Sequence, residues 1–159
     1  MNITLRPIDE TNREAVLALD VREDQPFVAP NDVSLRQADE ANAENPGVAR
    51  PFAIYADEEP VGFCMFAFDP SDEDPEDRYY IWRFMIDKRY QHRGYGREAL
   101  QCAIDFIKTF PCGEAEYCVL SYYMKNQVAR RFYCSFGFTE LNEPGYYEEG
   151  DEISAVLKL

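Results

Sequence analysis

The stretch that most constrains the fold is a β-prone run leading into a basic, glycine-containing turn. The run is YYIWRFMI, residues 79–86, and the turn is QHRGYG, residues 91–96. Behind the turn, apolar residues recur at helical spacing over residues 100–107, until TFPCG ends the pattern. The sequence therefore predicts a strand, a glycine turn and a helix in that order.

Patterns on either side of this unit predict a mixed α/β domain. Alternating or β-prone runs predict strands at residues 2–8, 51–56, 60–68, 116–122, 137–141 and 151–159. Helical spacing predicts helices at residues 14–21 and 34–45, and a third between Asn126 and Gly137. The order favours a mixed sheet with long antiparallel stretches over a repeated βαβ arrangement. A chain of 159 residues suits a single domain spanning residues 1–159.

Two helix starts are predicted from capping-box spacing. Thr11 with Glu14 precedes the first helical pattern, and Ser34 with Gln37 precedes the second. In such a box, the first residue caps the helix and the second reaches back to it. We therefore expect Thr11 and Ser34 to be N-cap residues.

The charge balance favours cationic partners over nucleic acids. Sixteen Lys and Arg against thirty Asp and Glu give a formal net charge of −14, which argues against a nucleic-acid backbone as partner. Such a field attracts cations, although an acidic surface can also serve solubility alone. Six of the acids lie in the segment from Asp69 to Asp77, whose role stays open.

Neither a membrane span nor a metal site is expected. No apolar run approaches the roughly 18 residues that a span needs, and the N-terminus lacks a signal-peptide pattern, so we expect a cytoplasmic protein with no membrane partner. The five cysteines are scattered and the chain has one histidine. Reduced, mostly buried thiols are favoured over a disulfide framework or a zinc site.

The glycine turn has the properties of an anion site. Backbone N–H groups at a helix start are unpaired, and the helix dipole adds positive potential there. The turn contains Gly94 and Gly96, which allow close backbone approach. Basic residues surround it: Lys88, Arg89, Arg93 and Arg97. A polyphosphate would suit this turn, while the alternative is an ordinary helix start with solvated arginines.

A second block downstream favours the ligand interpretation. Residues 83–96, RFMIDKRYQHRGYG, resemble the Q/R-x-x-G-x-G/A loop of the GNAT superfamily of acetyl-CoA-dependent N-acetyltransferases. Residues 126–138, NQVARRFYCSFGF, resemble the second conserved block of that family, N-x-x-A-x-x-F-Y-x-x-x-G-F. The order of strands and helices resembles that family along essentially the whole chain. One departure is Lys88, where many relatives carry proline.

The resemblance implies a fold and a cofactor site. It implies the GNAT fold, an α/β fold with a mixed, mostly antiparallel central sheet flanked by helices and with splayed strands that form an acetyl-CoA cleft. The turn residues would bind the pyrophosphate of coenzyme A: Gln91, His92, Arg93, Gly94, Tyr95, Gly96 and Arg97. Backbone groups of Phe84, Met85 and Ile86 would run beside the pantetheine arm, and Asn126 would reach the cofactor from the second block.

The resemblance also implies a mechanism by direct attack of the amine in a ternary complex. A backbone N–H, which we assign to Met85, would polarise the thioester carbonyl, and Tyr133 would protonate the departing thiolate. Periodicity alone would make Tyr133 a packing residue. The amine must first lose a proton, and the carboxylate that accepts it stays open among Glu23, Asp24, Glu114 and Glu116.

The N-terminal third bears on the acceptor. A resemblance to the bacterial spermine/spermidine (diamine) acetyltransferase branch lies in residues 17–35 (LALDVREDQPFVAPNDVSL), 51–66 (PFAIYADEEPVGFCMF) and 79–100 (YYIWRFMIDKRYQHRGYGREAL). It implies a cationic small-molecule amine. Acids that could attract it are Asp20, Glu23, Asp24 and Asp32, and substrate contacts are expected from Glu23, Asp24, Trp82 and Glu116. Alternatives are an aminoglycoside, an amino acid, a protein N-terminus, or a non-catalytic acyl-CoA-binding regulator. A homodimer is compatible with the family resemblance.

Overall fold

The computed structural model of the protein describes residues 2–21, 29–68, 79–141 and 152–159. The strands are β1 (Ile3–Pro7), β2 (Ala49–Ala56), β3 (Glu59–Phe68), β4 (Tyr79–Ile86), β5 (Tyr117–Tyr123), β6 (Thr139–Glu140) and β7 (Glu152–Lys158). The helices are α1 (Arg13–Leu17), α2 (Asn31–Glu44), α3 (Tyr95–Ile107) and α4 (Gln127–Phe136). Glu23, Asp24 and the acidic segment from Asp69 to Asp77 lie outside the described residues.

The strands form one mixed sheet in the order β1-β2-β3-β4-β5-β7-β6. Neighbouring strands pair antiparallel except for β4 and β5, which are parallel and pair only at Tyr79 with Cys118 and at Tyr80 with Val119. The predicted mixed, mostly antiparallel sheet is confirmed. Because pairing stops at Tyr80, the remainder of β4 and β5 is not joined by ladder hydrogen bonds and the two strands separate.

A β-bulge lies where that pairing ends. On β3, Met65 pairs with Arg83 and the next residue, Phe66, pairs with Ile81, so Trp82 is the extra residue on β4. A bulge bends its strand and redirects the local side chains. The bend therefore begins two residues after the last β4–β5 pair and accompanies the opening of the sheet.

Helices cover both faces of the sheet. The apolar side of α3, which includes Leu100 and Ile104, belongs to one core cluster with Ile54 and Cys64, and α4 packs against that cluster. The second cluster joins α1 and α2 to the other face of the same strands. The cleft between β4 and β5 is bordered by α3 and α4, which belong to the first of these layers.

The start of α2 differs from the prediction. The helix α2 begins at Asn31 after Pro30, so Ser34 is inside the helix, fully buried, and is not the N-cap. Its Oγ instead accepts a hydrogen bond from Arg83 Nε at 3.1 Å, and Gln37 Oε1 accepts one from Arg83 Nη2 at 2.9 Å. The predicted capping pair is therefore used to hold an arginine of β4.

The other predicted caps have mixed outcomes. The N-cap of α1 is Asn12 rather than Thr11, and the helix ends at Leu17, earlier than predicted. At the start of α4, Asn126 Oδ1 accepts a hydrogen bond from the Ala129 amide at 3.2 Å. The prediction of Asn126 as the cap of α4 is confirmed.

Candidate active site

The separated strands enclose two cavities that meet in the middle of the cleft. The turn-side cavity, about 450 Å³, is lined by Gln91, His92 and Gly96 together with residues of β4 and α4. The bulge-side cavity, about 460 Å³, is lined by Trp82 and Arg83 of β4 and by residues of β5 and β7. Both cavities are lined by Phe84, Asn126, Ala129 and Tyr133. These shared residues mark the junction of the cleft.

The turn at the first cavity leaves the start of α3 without a side-chain cap. Gly94 is the N-cap of α3 with φ of +84°, in the left-handed region that favours glycine, and no side chain caps the helix. His92 also has a positive φ, of +62°. Gln91 Nε2 donates to the Ile86 carbonyl at 2.9 Å, which fixes the turn against the end of β4. The first-turn amides thus point to a place that no capping side chain occupies.

The remaining predicted turn residues lie beside the turn-side cavity without lining it. The Tyr95 ring is buried in the core. The Arg93 guanidinium lies 5.8 Å from the ring centre of Tyr90, and that of Arg97 lies 5.6 Å from the ring centre of Phe136. The arginines therefore keep positive charge at the rim of the turn.

A buried carboxylate joins the turn to the segment after α1. Asp87 Oδ1 accepts hydrogen bonds from Arg89 Nε at 2.8 Å and from the Arg89 amide at 2.9 Å, and its Oδ2 accepts one from the Asp20 amide at 3.0 Å. Burial opposes ionisation, but the bonds from Arg89 and Asp20 outweigh it and lower the pKa of Asp87. The ionised carboxylate therefore fastens the entry to the turn.

The strand register determines which backbone amides face the cleft. The Asp87 amide donates to the Val61 carbonyl of β3 at 2.8 Å, and Met85 pairs with Phe63 two residues further along. Since neighbouring residues in a strand direct their amides to opposite sides, the Met85 amide faces β3. The cleft-facing amides are those of Phe84 and Ile86. This register places the amide of Met85, our predicted polarising group, away from the cleft.

Tyr133 lies at the junction of the two cavities on α4. Its ring stacks on Tyr122 with centroids 5.8 Å apart and planes 7° apart, and it meets Phe132 and Phe138 edge to face. Its hydroxyl has no hydrogen-bond partner among the described residues. Burial, with a smaller effect of the Cys64 and Cys118 thiols, raises the pKa of Tyr133. The ring is held by packing, and the hydroxyl stays protonated.

A charged network behind Tyr133 joins α4 to the end of the sheet. Arg130 donates to both carboxylate oxygens of Glu140, at 3.0 and 3.1 Å, and also to the Met124 carbonyl at 3.2 Å. The Tyr122 hydroxyl donates to Glu140 Oε1 at 2.7 Å. The Arg130 hydrogen bonds lower the pKa of Glu140, in spite of its burial. Because the Tyr122 ring supports that of Tyr133, this network fixes the position of Tyr133.

The bulge-side cavity holds charges of both signs. Arg83 is anchored by α2 and by the Trp82 carbonyl at 2.8 Å, and burial lowers the pKa of its guanidinium. Across the cavity, Glu152 begins β7 opposite Tyr123 of β5. The Tyr80 hydroxyl and Ser121 Oγ are hydrogen-bonded across the opening strands. Neither Arg83 nor Glu152 was singled out by the sequence, since no contiguous motif connects them.

The predicted acidic residues are distributed differently. Asp20 forms an ion pair with Lys88 Nζ at 3.4 Å. Asp32, Glu114 and Glu116 are exposed and do not line either cavity; the two glutamates precede β5, away from the part of the strand that borders the cleft. Of the predicted substrate contacts that the structure describes, Trp82 lines the bulge-side cavity and Glu116 does not.

The described part of the chain shows neither a metal-binding cluster nor a membrane-spanning helix. Residues 2–21, 29–68, 79–141 and 152–159 contain no group of three or more His, Cys, Asp or Glu side chains placed to hold a metal ion. Within the same residues, no helix combines the length and the apolar character needed to cross a bilayer.

Comparison with known proteins agrees with the architecture. The acetyltransferase (GNAT) family matches residues 14–138. The chain is 32% identical over 142 residues to the spermine/spermidine N(1)-acetyltransferase of Bacillus subtilis (strain 168), covering 87% of this chain and 88% of that protein.

Solved structures show the same fold. The PaiA N-acetyltransferase from Thermoplasma acidophilum, in complex with coenzyme A, superposes with a TM-score of 0.68 at 14% identity over 100% of both chains. The ribosomal-protein-S18-alanine N-acetyltransferase from Escherichia coli gives 0.67 at 20% identity, over 99% of this chain and 94% of that one. The family match and the Bacillus relative together establish that this chain belongs to the GNAT family of acetyltransferases.

Proposed function

We propose that the protein transfers the acetyl group of acetyl-CoA to a primary amine of a polyamine, either spermine or spermidine or another diamine, by direct attack in a ternary complex. The observation that carries the proposal is the pair of cavities that meet at Tyr133. One cavity is available to each substrate, and their junction is available to the reacting atoms. The identity to the Bacillus spermine/spermidine acetyltransferase supports the choice of acceptor.

The turn-side cavity fits coenzyme A. The glycine-capped start of α3 suits the pyrophosphate, with Gln91, His92 and Gly96 lining the cavity and the arginines at its rim. Hydrogen bonds to the pantetheine arm are assigned to the cleft-facing backbone groups of Phe84 and Ile86. The predicted binding role of Arg93, Gly94, Tyr95, Arg97 and Asn126 stays part of this proposal.

The chemistry needs three groups at the junction. An N–H must polarise the thioester carbonyl, and we move this role from Met85 to Phe84 because the Phe84 amide faces the cleft. An acid must protonate the thiolate, and we assign this role to Tyr133, which lines both cavities and whose hydroxyl keeps its proton. A base must free the amine, since an alkylamine of pKa near 10.4 is neutral in only about one molecule in a thousand at pH 7.

The bulge-side cavity would receive the amine. Its aromatic side chains include Trp82, Tyr80 and Tyr123, which can contact an alkyl chain or a cation. The net charge of −14 attracts a polyamine over longer distances. Arg83 favours a second candidate, an amine that also carries a carboxylate such as an amino acid, because its guanidinium has no carboxylate partner among the described residues.

An acceptor panel tests the assignment. Thiol release from acetyl-CoA would be measured with spermine, spermidine, diamines, monoamines, amino acids, an aminoglycoside and a peptide N-terminus. We expect turnover with the polyamines and diamines at the highest kcat/KM. Turnover confined to carboxylate-bearing amines would transfer the assignment to the second candidate. Binding of acetyl-CoA without turnover of any amine would support a non-catalytic regulator.

A further inference from the structure

We propose that Glu152 is the general base that takes the proton from the acceptor's ammonium group. The inference rests on the proposed acetyl transfer to an amine and names the group that the sequence left open. It requires a carboxylate at the acceptor half of the cleft, because the turn-side half is assigned to coenzyme A. Glu152 lines the bulge-side cavity, within which the acceptor would bind.

The pairing of β5 with β7 brings Glu152 to this position. Tyr123 and Glu152 are directly opposite in the antiparallel pair, as are Ser121 and Ser154 two residues along. Opposite residues, and residues two apart, direct their side chains to the same face of a sheet. Ser121, Tyr123 and Glu152 accordingly line the same cavity. The position of Glu152 is thus set by a seven-residue strand rather than by a loop.

Other carboxylates around the cleft are engaged elsewhere. Asp87 is held by Arg89, Glu140 is held by Arg130 and Tyr122, and Asp20 pairs with Lys88. None of them lines either cavity. Within the part of the chain that the structure describes, Glu152 is the carboxylate that lines the cleft.

One of the charges facing the bulge-side cavity, the guanidinium of Arg83, favours a neutral amine. Its titratable side chains are Tyr80 and Arg83 from β4, Tyr122 and Tyr123 from β5, Tyr133 from α4 and Glu152 from β7. The packed residues of α2, Ser34 and Gln37, do not titrate and anchor Arg83. A fixed guanidinium disfavours a second positive charge beside it, so an ammonium there gives up its proton more readily. Glu152 is exposed and can pass that proton on to bulk water.

The step balances as a proton transfer followed by acyl transfer. The ammonium gives one proton to the Glu152 carboxylate, directly or through water, and becomes a neutral amine. Its lone pair forms the C–N bond, and the C–S bond breaks with its electron pair on sulfur. Tyr133 protonates that sulfur and regains a proton from the acetylated nitrogen. The proton on Glu152 leaves to solvent, so each turnover releases one proton.

The test compares Glu152→Gln with the wild type from pH 6 to pH 10. The acceptors are spermidine and butylamine, with saturating acetyl-CoA and with the uncatalysed reaction subtracted at each pH. We expect kcat/KM of the variant to be about 100-fold lower at pH 7. It should then rise about tenfold per pH unit, come within about threefold of the wild type by about pH 9 and stay there to pH 10, as the amine supplies its own neutral form. Both acceptors should show the same convergence.

Controls separate a catalytic role from a structural one. Glu40→Gln removes an equivalent exposed carboxylate on α2, outside both cavities, and should match the wild type throughout. The acetyl-CoA affinity and thermal unfolding of Glu152→Gln should also be unchanged.

Three results would overturn the inference. The first is a Glu152→Gln deficit that is constant with pH, and the second is wild-type activity of the variant. The third is a deficit seen with spermidine but not with butylamine, which would make Glu152 a binding group for the second ammonium. In each case an active wild type leaves the proposed function standing, whereas a wild type that acetylates no amine would refute both.

Discussion

Replacing Tyr133, which lies at the junction of the cleft, by phenylalanine removes the hydroxyl and leaves the ring. The contacts of that ring with Tyr122, Phe132 and Phe138 do not involve the hydroxyl, and the hydroxyl has no hydrogen-bond partner among the described residues. The free energy of unfolding should therefore change by less than about 0.5 kcal/mol. Loss of a general acid should lower kcat about 100-fold, which corresponds to about 2.7 kcal/mol in the barrier.

The matched variant is Tyr122→Phe, which removes the other hydroxyl of the stacked pair. That hydroxyl donates to the Glu140 carboxylate at 2.7 Å, so the variant should lose about 1.5–3 kcal/mol of unfolding free energy. Tyr133→Phe should instead be stable, bind acetyl-CoA within twofold of the wild type, and turn over slowly.

Three measurements decide between these roles: urea denaturation, calorimetric titration with acetyl-CoA, and steady-state thiol release. Because the raised pKa of Tyr133 keeps the acid form present, kcat of the wild type should not fall from tyrosine ionisation below about pH 10. Full activity of Tyr133→Phe would refute the acid role, and water or another group would then protonate the thiolate.

Other variants test the surroundings of the site. Gly94→Val forces a β-branched residue to φ of +84°, where no neighbouring atom lies close enough to clash. Backbone strain alone should therefore weaken acetyl-CoA binding, measured by calorimetry, about tenfold. Unchanged affinity would show that this turn does not bind the cofactor. Gly62→Ala places a Cβ 2.4 Å from the Met85 carbonyl oxygen and should cost about 1–3 kcal/mol of unfolding free energy in urea, whereas no loss would contradict the close strand approach. Asp87→Ala leaves part-buried donors unpaired, including the Arg89 amide, and should cost about 2–3 kcal/mol at pH 7. Folding lowers the pKa of Asp87, so its contribution to the free energy of unfolding is fully present above the unfolded pKa near 3.9. That contribution is lost as the pH falls through the folded pKa. The stability deficit of Asp87→Ala should therefore shrink by pH 3.

Much of the fold could be predicted because its signals are local. The run at 79–86, the glycine turn and the helix behind it are encoded by adjacent residues, and the cap at Asn126 lies beside the helix that it starts. Ser34 and Gln37 could not be interpreted from local signals. Their spacing fits a capping box, but their side chains accept hydrogen bonds from Arg83. Tertiary contacts decided between the two uses.

The site was predictable where its residues form contiguous motifs. The turn and Tyr133 belong to two such blocks, and both border the cleft. The β-bulge at Trp82 depends on how β4 pairs with β3, and that register also decides which amide faces the cleft, Phe84 rather than Met85. Glu152 reaches the cleft through pairing between strands that are far apart in the sequence, for which the residues alone give no signal.

Whether the two substrates meet at Tyr133 can be decided by a crystal structure with bound coenzyme A. We expect the pyrophosphate at the start of α3, the pantetheine arm along Phe84 and Ile86, and the sulfur within hydrogen-bond reach of the Tyr133 hydroxyl. The bulge-side cavity should stay open for the amine. A sulfur that lies away from Tyr133, or a coenzyme that fills the bulge-side cavity, would show that the substrates do not meet at Tyr133.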